Sequence, residues 1–128
     1  MPSQVYIREL SLADEKKFLQ AMHDSRELHQ ELVCPPKTHD EFVQYYQRYQ
    51  QSNQKSFVVC NFDCAIVGIY NISEIVYGAF QSAFLGYYAV NGYQGQGLMS
   101  AGLKLVLEHY FTELKLHRLE ANIQPQLL

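Results

Sequence analysis

The stretch Gly86-Tyr87-Tyr88-Ala89-Val90-Asn91-Gly92-Tyr93-Gln94-Gly95-Gln96-Gly97-Leu98-Met99-Ser100-Ala101-Gly102-Leu103 decides how the chain folds. An apolar, aromatic run with the residue types of a buried strand meets a Gly-rich turn, and a strongly amphipathic helical pattern follows at once. The order predicts strand, turn, helix. Gly95 and Gly97 carry no Cβ, so they can take positive φ and let an anion come close. The first N–H groups of the following helix have no intrahelical partner, and with the positive end of the helix dipole they suit a phosphate or pyrophosphate. A tight connection with no ligand is the competing reading of two glycines at this spacing. No Gly-Lys-Ser/Thr follows the turn, and no acidic residue stands at dinucleotide spacing on a following strand, so ATP and NAD are disfavoured.

At 128 residues, 48% of them hydrophobic, the chain has the size of one domain with a modest core. A net charge of -3 leaves no basic surface for nucleic acid. No apolar run approaches the roughly 20 residues that span a bilayer, and the start lacks a signal-peptide pattern, so a cytoplasmic protein with no membrane partner is expected. Cys34, Cys60 and Cys64 are an odd, sparse set. Cys60 and Cys64 flank a hairpin turn, but no second Cys or His pair stands at zinc-ligand spacing, so buried free thiols and no metal are expected.

Upstream of the turn, Val5 to Leu10 has the residue types of a first strand. Ser11 offers an N-cap and Asp14 sits at capping-box spacing, which predicts a helix over 12–23 with Phe18, Leu19 and Met22 on one face. Leu28, Leu32 and Val33 continue a helical spacing until Pro35-Pro36 stops it. A further helix is expected from Thr38, with Phe42, Val43, Tyr46 and Tyr49 on its apolar side. Phe57–Cys60 and Cys64–Tyr70 read as two strands of an antiparallel meander, Asn71 to Gln81 as a looser excursion, and Ala83–Val90 as the next strand. From 97 to 113 a helix is expected, its apolar stripe made by Leu103, Leu107, Tyr110 and Leu114 and widened by Leu98, Leu105, Val106 and Phe111. His117 to Ile123 alternates as a last strand, and strand, helix, strand implies a crossover and a parallel pair in an otherwise antiparallel sheet.

The run Gln94-Gly95-Gln96-Gly97-Leu98-Met99 resembles the Gln/Arg-x-x-Gly-x-Gly/Ala motif of the GNAT acetyltransferases, which cradles the pyrophosphate of coenzyme A. Met99 departs, standing where the superfamily has Gly or Ala. Gly78-Ala79-Phe80-Gln81 and Leu85-Gly86-Tyr87 before it, with His117-Arg118, Glu120-Ala121-Asn122 and Pro125 after it, resemble the ribosomal-protein alanine N-acetyltransferase branch. The likeness is clearest over residues 66–126. It implies an α+β fold of three α/β/α layers around a mixed, mostly antiparallel sheet with a splayed parallel pair. The family continues beyond Pro125 with a helix and strands, whereas this sequence ends in Leu127-Leu128, so 1–128 is expected to be a C-terminally incomplete GNAT domain, as a fragment or a shortened product. Its final helix and strands would be missing, which makes the activity of this form doubtful.

The resemblance further implies acetyl-CoA as co-substrate and direct attack of an amine on its thioester. The backbone of Tyr88, Ala89 and Val90 would run beside the pantetheine arm, Gln94, Gly95, Gln96, Gly97, Leu98 and Met99 would hold the pyrophosphate, and Ser100 would add a hydroxyl. Strand packing for Tyr88 and helix capping for Ser100 are the competing roles. No general base is identified. Glu120 is the best carboxylate near the expected site, against an ordinary role facing solvent or pairing with Arg118 or Lys115, and Glu74 is weaker. His23, His29, His39, His109 and His117 are given no catalytic part. A protein α-amino group, with a pKa of about 7.7–8.0 against about 10.4 for lysine, needs less help to become nucleophilic near neutral pH. A protein N-terminus is therefore the expected acceptor. A small amine such as a polyamine or aminoglycoside, a non-catalytic acyl-CoA-binding module, and a homodimer stay open.

Overall fold

The protein is described here by a computed structural model covering residues 5–25, 35–76, 82–93, 96–112 and 120–121. In chain order its elements are β1 (Val5–Glu9), α1 (Glu15–Asp24), α2 (His39–Arg48), β2 (Lys55–Asn61), β3 (Ile66–Val76), β4 (Ser82–Ala89), α3 (Leu98–Thr112) and β5 (Glu120–Ala121). The five strands form one sheet in sequence order, β1 to β5. The first four pair antiparallel, and β4 pairs with β5 in parallel through Phe84 to Glu120 and Leu85 to Ala121.

Strand β2 is buried almost throughout because the sheet is covered on both faces. Phe57 and Val59 pack with Leu98, Met99, Val106 and Tyr110 of α3, whereas Val58 and Cys60 pack with Phe18 and Met22 of α1 and with Phe42, Tyr45 and Tyr49 on or just after α2. Alternation along one strand thus feeds two separate cores. The expected three-layer α/β/α arrangement with a parallel pair in a mostly antiparallel sheet is what the described residues form.

Local capping agrees with the sequence. Asp14 accepts from the Ser11 N–H at 2.8 Å, and the Ser11 hydroxyl accepts from Ala13 N–H at 3.2 Å. Asp14 also receives both arms of the Arg8 guanidinium at 2.6 and 2.8 Å, so the first turn is tied to β1. The helical run starts at Leu12 after the Ser11 cap, as the capping pattern predicts, but its first turn, Leu12–Asp14, is 3-10 helix that passes directly into α1 at Glu15. Thr38 caps α2 by accepting from Glu41 N–H at 3.2 Å.

Four expectations need correction. Strand β3 continues through Asn71 to Val76 where a looser excursion is expected. It can do so because the buried Asn71 carboxamide accepts hydrogen bonds from Tyr45 and Ser56, both at 2.6 Å, so a polar residue is tolerated in a central strand. The apolar side of α2 turns on Phe42 and Tyr45, with Tyr49 at its C-cap, while Tyr46 is only half-buried. On α3 the deepest line is Leu98, Met99, Gly102, Val106 and Tyr110, rotated from the leucine stripe. Gly102 explains the rotation: a Cβ there would stand 2.8 Å from Val59 Cγ1, so the helix lies on β2 by its glycine edge. Last, Cys64 is exposed, at φ +65 in the turn after β2, and only Cys60 fits the expected buried free thiol. Cys34, the helical spacing at 28–33, and most of the expected strand 117–123 lie outside the described residues.

Candidate active site

The C-terminal end of β4 and the N-terminus of α3 meet where the opening stretch places them. In β4, Tyr88 is half-buried while Ala89 and the following Val90 are buried. The described parallel pairing with β5 involves Phe84 and Leu85, and β4 runs on to Ala89. The residues that would lie beside Gly86 to Ala89 on the β5 side fall outside the described set. One expected group is not available to a ligand: Val90 N–H donates to Val67 O at 3.2 Å. A bulge in β3 reaches it, because Val59 pairs with Gly68 and Cys60 with Ile66, leaving Val67 extra.

Beyond Val90 the chain turns through Gly92 at φ +100 and reaches Gly97 at φ +73. Gln94 and Gly95 lie outside the described residues. The exposed Gln96 folds back, its Nε2 donating to Gly92 O at 3.2 Å. Gly97 caps α3, and its carbonyl accepts the first helical donor, Ala101 N–H, at 3.0 Å. Helix geometry leaves the preceding amides of Leu98, Met99 and Ser100 without an intrahelical acceptor. Among the described residues nothing lies within 4 Å of where a Gly97 Cβ would stand. Ser100 is exposed, whereas the Leu98 and Met99 side chains are buried.

The departure at Met99 has a structural answer in β3. A Cβ on Gly68 would collide with Sδ and Cε of Met99, so the missing side chain on the strand makes room for the large one on the helix. The buried Tyr70 hydroxyl, its pKa raised chiefly by burial, donates to Met99 O at 2.9 Å and fixes the first turn of α3 from below.

On the other face, Tyr88 meets α2. A cleft of about 460 Å³ is lined by Pro36, Glu41, Gln44, Tyr45, Arg48 and Tyr88. Tyr45 and Tyr88 have ring centroids 6.3 Å apart. The Tyr45 hydroxyl is spent internally on Ser56 and Asn71, and burial raises its pKa far above the ordinary tyrosine value, so it is a wall and not an acid. Glu41 Oε1 accepts from Lys37 N–H at 2.9 Å, and Arg48 Nε donates to Gln54 Oε1 at 2.8 Å. Glu41 is expected from its spacing only as a capping-box partner of Thr38, and Gln44 and Arg48 only as part of a polar helix side, although their spacing of three and then four residues marks one polar face of α2.

Glu120 stands opposite Phe84 in the β4 to β5 register, four residues before Tyr88 and so about 13 Å away along the strand. The side chains of Glu120 and Glu74 lie outside the described set. Among the described residues no group of His, Cys, Asp and Glu is placed to hold a metal ion, and no helix is long and apolar enough to cross a membrane.

A family model described as an acetyltransferase (GNAT) domain matches residues 4–126. A "Probable N-acetyltransferase YjcK" of Bacillus subtilis is 26% identical, covering 97% of this chain and 74% of its own length. The ribosomal protein uS5-alanine N-acetyltransferase of Escherichia coli is 35% identical over 60 residues, which is 47% of this chain and 31% of that protein. The solved structure of spermidine N-acetyltransferase from Vibrio cholerae in complex with CoA and spermine shares the fold, with a TM-score of 0.77 and 22% identity over 92% of this chain and 70% of that one. With a family match that runs nearly end to end over a sheet with a parallel β4–β5 pair and a glycine-capped helix of this geometry, the chain belongs to the GNAT acetyltransferase family and is an enzyme of it.

Proposed function

We propose that the protein transfers an acetyl group from acetyl-CoA to the α-amine of a protein N-terminus in the cytoplasm. The observation that carries this reading is the placement of two features at one end of β4. On one side stands the Gly97-capped N-terminus of α3, where an added Cβ would meet no described atom within 4 Å. On the other lies the cleft walled by Tyr88 and α2.

The residues present fit a diphosphate. The amides of Leu98, Met99 and Ser100 point their donors out of the helix mouth, the dipole favours negative charge there, and Gly97 puts no side chain in the way. Gly95 and Gln94 would complete the loop, and the Ser100 hydroxyl adds a donor. The backbone of Tyr88 and Ala89 would accompany the pantetheine arm, with Val90 contributing its carbonyl, since its N–H belongs to Val67. When bound, acetyl-CoA supplies an acetyl group activated as a thioester. This chain's part is to hold it still and to bring the amine through the cleft beside Tyr88.

The charge of the cleft favours a peptide over a polyamine. Among the described residues its charged groups are one carboxylate, Glu41, which also accepts from Lys37 N–H, and one guanidinium, Arg48, with the Tyr45 hydroxyl spent internally beside Tyr88. A polyamine brings several positive charges and would meet Arg48 with the single Glu41 carboxylate to balance them. A peptide brings one amine and a train of carbonyls, which such a mixed lining can match. The low pKa of an α-amine, about 7.7–8.0, lets a fraction react with little help from a base. Glu120 stays the proposed carboxylate, and an unchanged rate in Glu120→Gln would remove it.

The test has two stages. Acetyl-CoA at about 100 times its Kd should stabilise the fold by about 2.7 kcal/mol, and ATP or NAD should not. Mass spectrometry of N-terminal peptides and of spermidine incubated with acetyl-CoA then separates the acceptors. Product on spermidine alone would move the assignment to small amines, and binding with no product on either would leave a non-catalytic acyl-CoA-binding module.

A further inference from the structure

The turn that enters the cofactor loop is held by a residue far away in sequence. Ser25 is the C-cap of α1 and is fully buried. Its hydroxyl donates to Ala21 O at 2.7 Å and accepts from Asn91 N–H at 2.8 Å. Asn91 is the first residue after Val90, and Gly92 beside it sits at φ +100. The bond therefore spans two layers of the fold, from the end of α1 to the turn that follows β4.

We propose that Ser25 is a positioning residue for the coenzyme: it sets the angle at which the loop leaves β4 and so pre-orders the amides that face the diphosphate. This rests on the functional reading above. The hydroxyl is suited to the task because its proton is committed to Ala21, which turns its lone pairs toward Asn91. Val90 N–H is held by Val67, so consecutive amides are pinned from two directions. Without Ser25 the Asn91 amide, on the exposed turn after β4, loses this acceptor, and the turn loses its tie to the end of α1.

The experiment compares the wild-type chain with Ser25→Ala and Ser25→Cys. Cysteine fills the same space with a poor acceptor, so it separates packing from hydrogen bonding. Coenzyme A affinity is measured by calorimetry, and the acetylation assay is run with acetyl-CoA and with S-acetylpantetheine, a donor that lacks the diphosphate. Both variants should bind coenzyme A about tenfold more weakly and show a KM for acetyl-CoA raised by the same factor, with kcat and the S-acetylpantetheine rate unchanged. Wild-type affinity in Ser25→Cys, or an equal loss with both donors, would overturn the proposal. If the wild-type chain does not bind coenzyme A, the functional reading fails first and this inference with it. If the variants do not fold, amide exchange in the wild-type protein decides: slow exchange at Asn91 without ligand supports the bond, and exchange at the unprotected rate refutes it.

Discussion

At the scale of single residues, the fit between Gly68 and Met99 explains how this chain departs from its family's motif without losing the loop. The thioether occupies the place of a side chain on β3, beneath the first turn of α3. Gly68→Ala should cost about 1–3 kcal/mol through overpacking, and Met99→Ala about 2–5 kcal/mol through the cavity it leaves. The double variant should cost less than the sum by about 1 kcal/mol or more, because the new methyl fills part of the new space. Urea denaturation of the four proteins measures this, and strict additivity would show that the two positions do not share a volume.

Elements begin and end where caps and glycines permit. Thr38 holds the start of α2, so Thr38→Ala should lower stability by about 1 kcal/mol without touching the coenzyme site, as equal coenzyme A affinity would show. Gly97 does the same for α3 but sits at φ +73, where an added Cβ would meet no described atom within 4 Å. Gly97→Ala therefore suffers from backbone conformation and not from a clash, with a loss of about 1 kcal/mol. Unlike Thr38→Ala, it should also weaken coenzyme A binding severalfold, since the added methyl stands at the mouth of the helix. Equal affinity in the two variants would separate this glycine from the ligand.

For the whole molecule, the buried Tyr45 and Tyr70 lead an alkaline limit to which Tyr49, Tyr110 and the Cys60 thiol, also raised by burial, contribute. Burial raises the pKa of Tyr45 and of Tyr70 above the ordinary value of 10.0. The unfolded chain therefore gives up these protons first as pH climbs past about 10, so their contribution is whole below that pH and is lost above it. The urea midpoint should ease down from about pH 9, where the unfolded chain gives up the Cys60 proton first, and fall more steeply beyond about pH 10 as the tyrosines follow. In the Tyr45→Phe, Tyr70→Phe double variant the starting stability is lower, because Ser56, Asn71 and Met99 lose partners, but the alkaline decline is shallower. A decline as steep as in the wild-type protein would assign it to other groups.

Sequence by itself determined what depends on a few neighbouring residues. The strand, turn and helix around Gly97, the Ser11 and Asp14 capping pair, the Thr38 start and the hairpin between Cys60 and Cys64 all rest on φ, ψ and hydrogen bonds made within about one turn. The order of the sheet followed from the order of those pieces. Only the tertiary structure decided which face of each helix goes inward: Tyr45 ahead of Tyr46, because Ser56 and Asn71 satisfy its hydroxyl, and Gly102 ahead of the leucines, because Val59 leaves no room for a Cβ. It also decided that Val67 claims the amide of Val90 and that Ser25 meets Asn91. Such choices turn on volumes and hydrogen-bonding groups brought together from distant parts of the chain, and a local pattern of residue types carries no record of them.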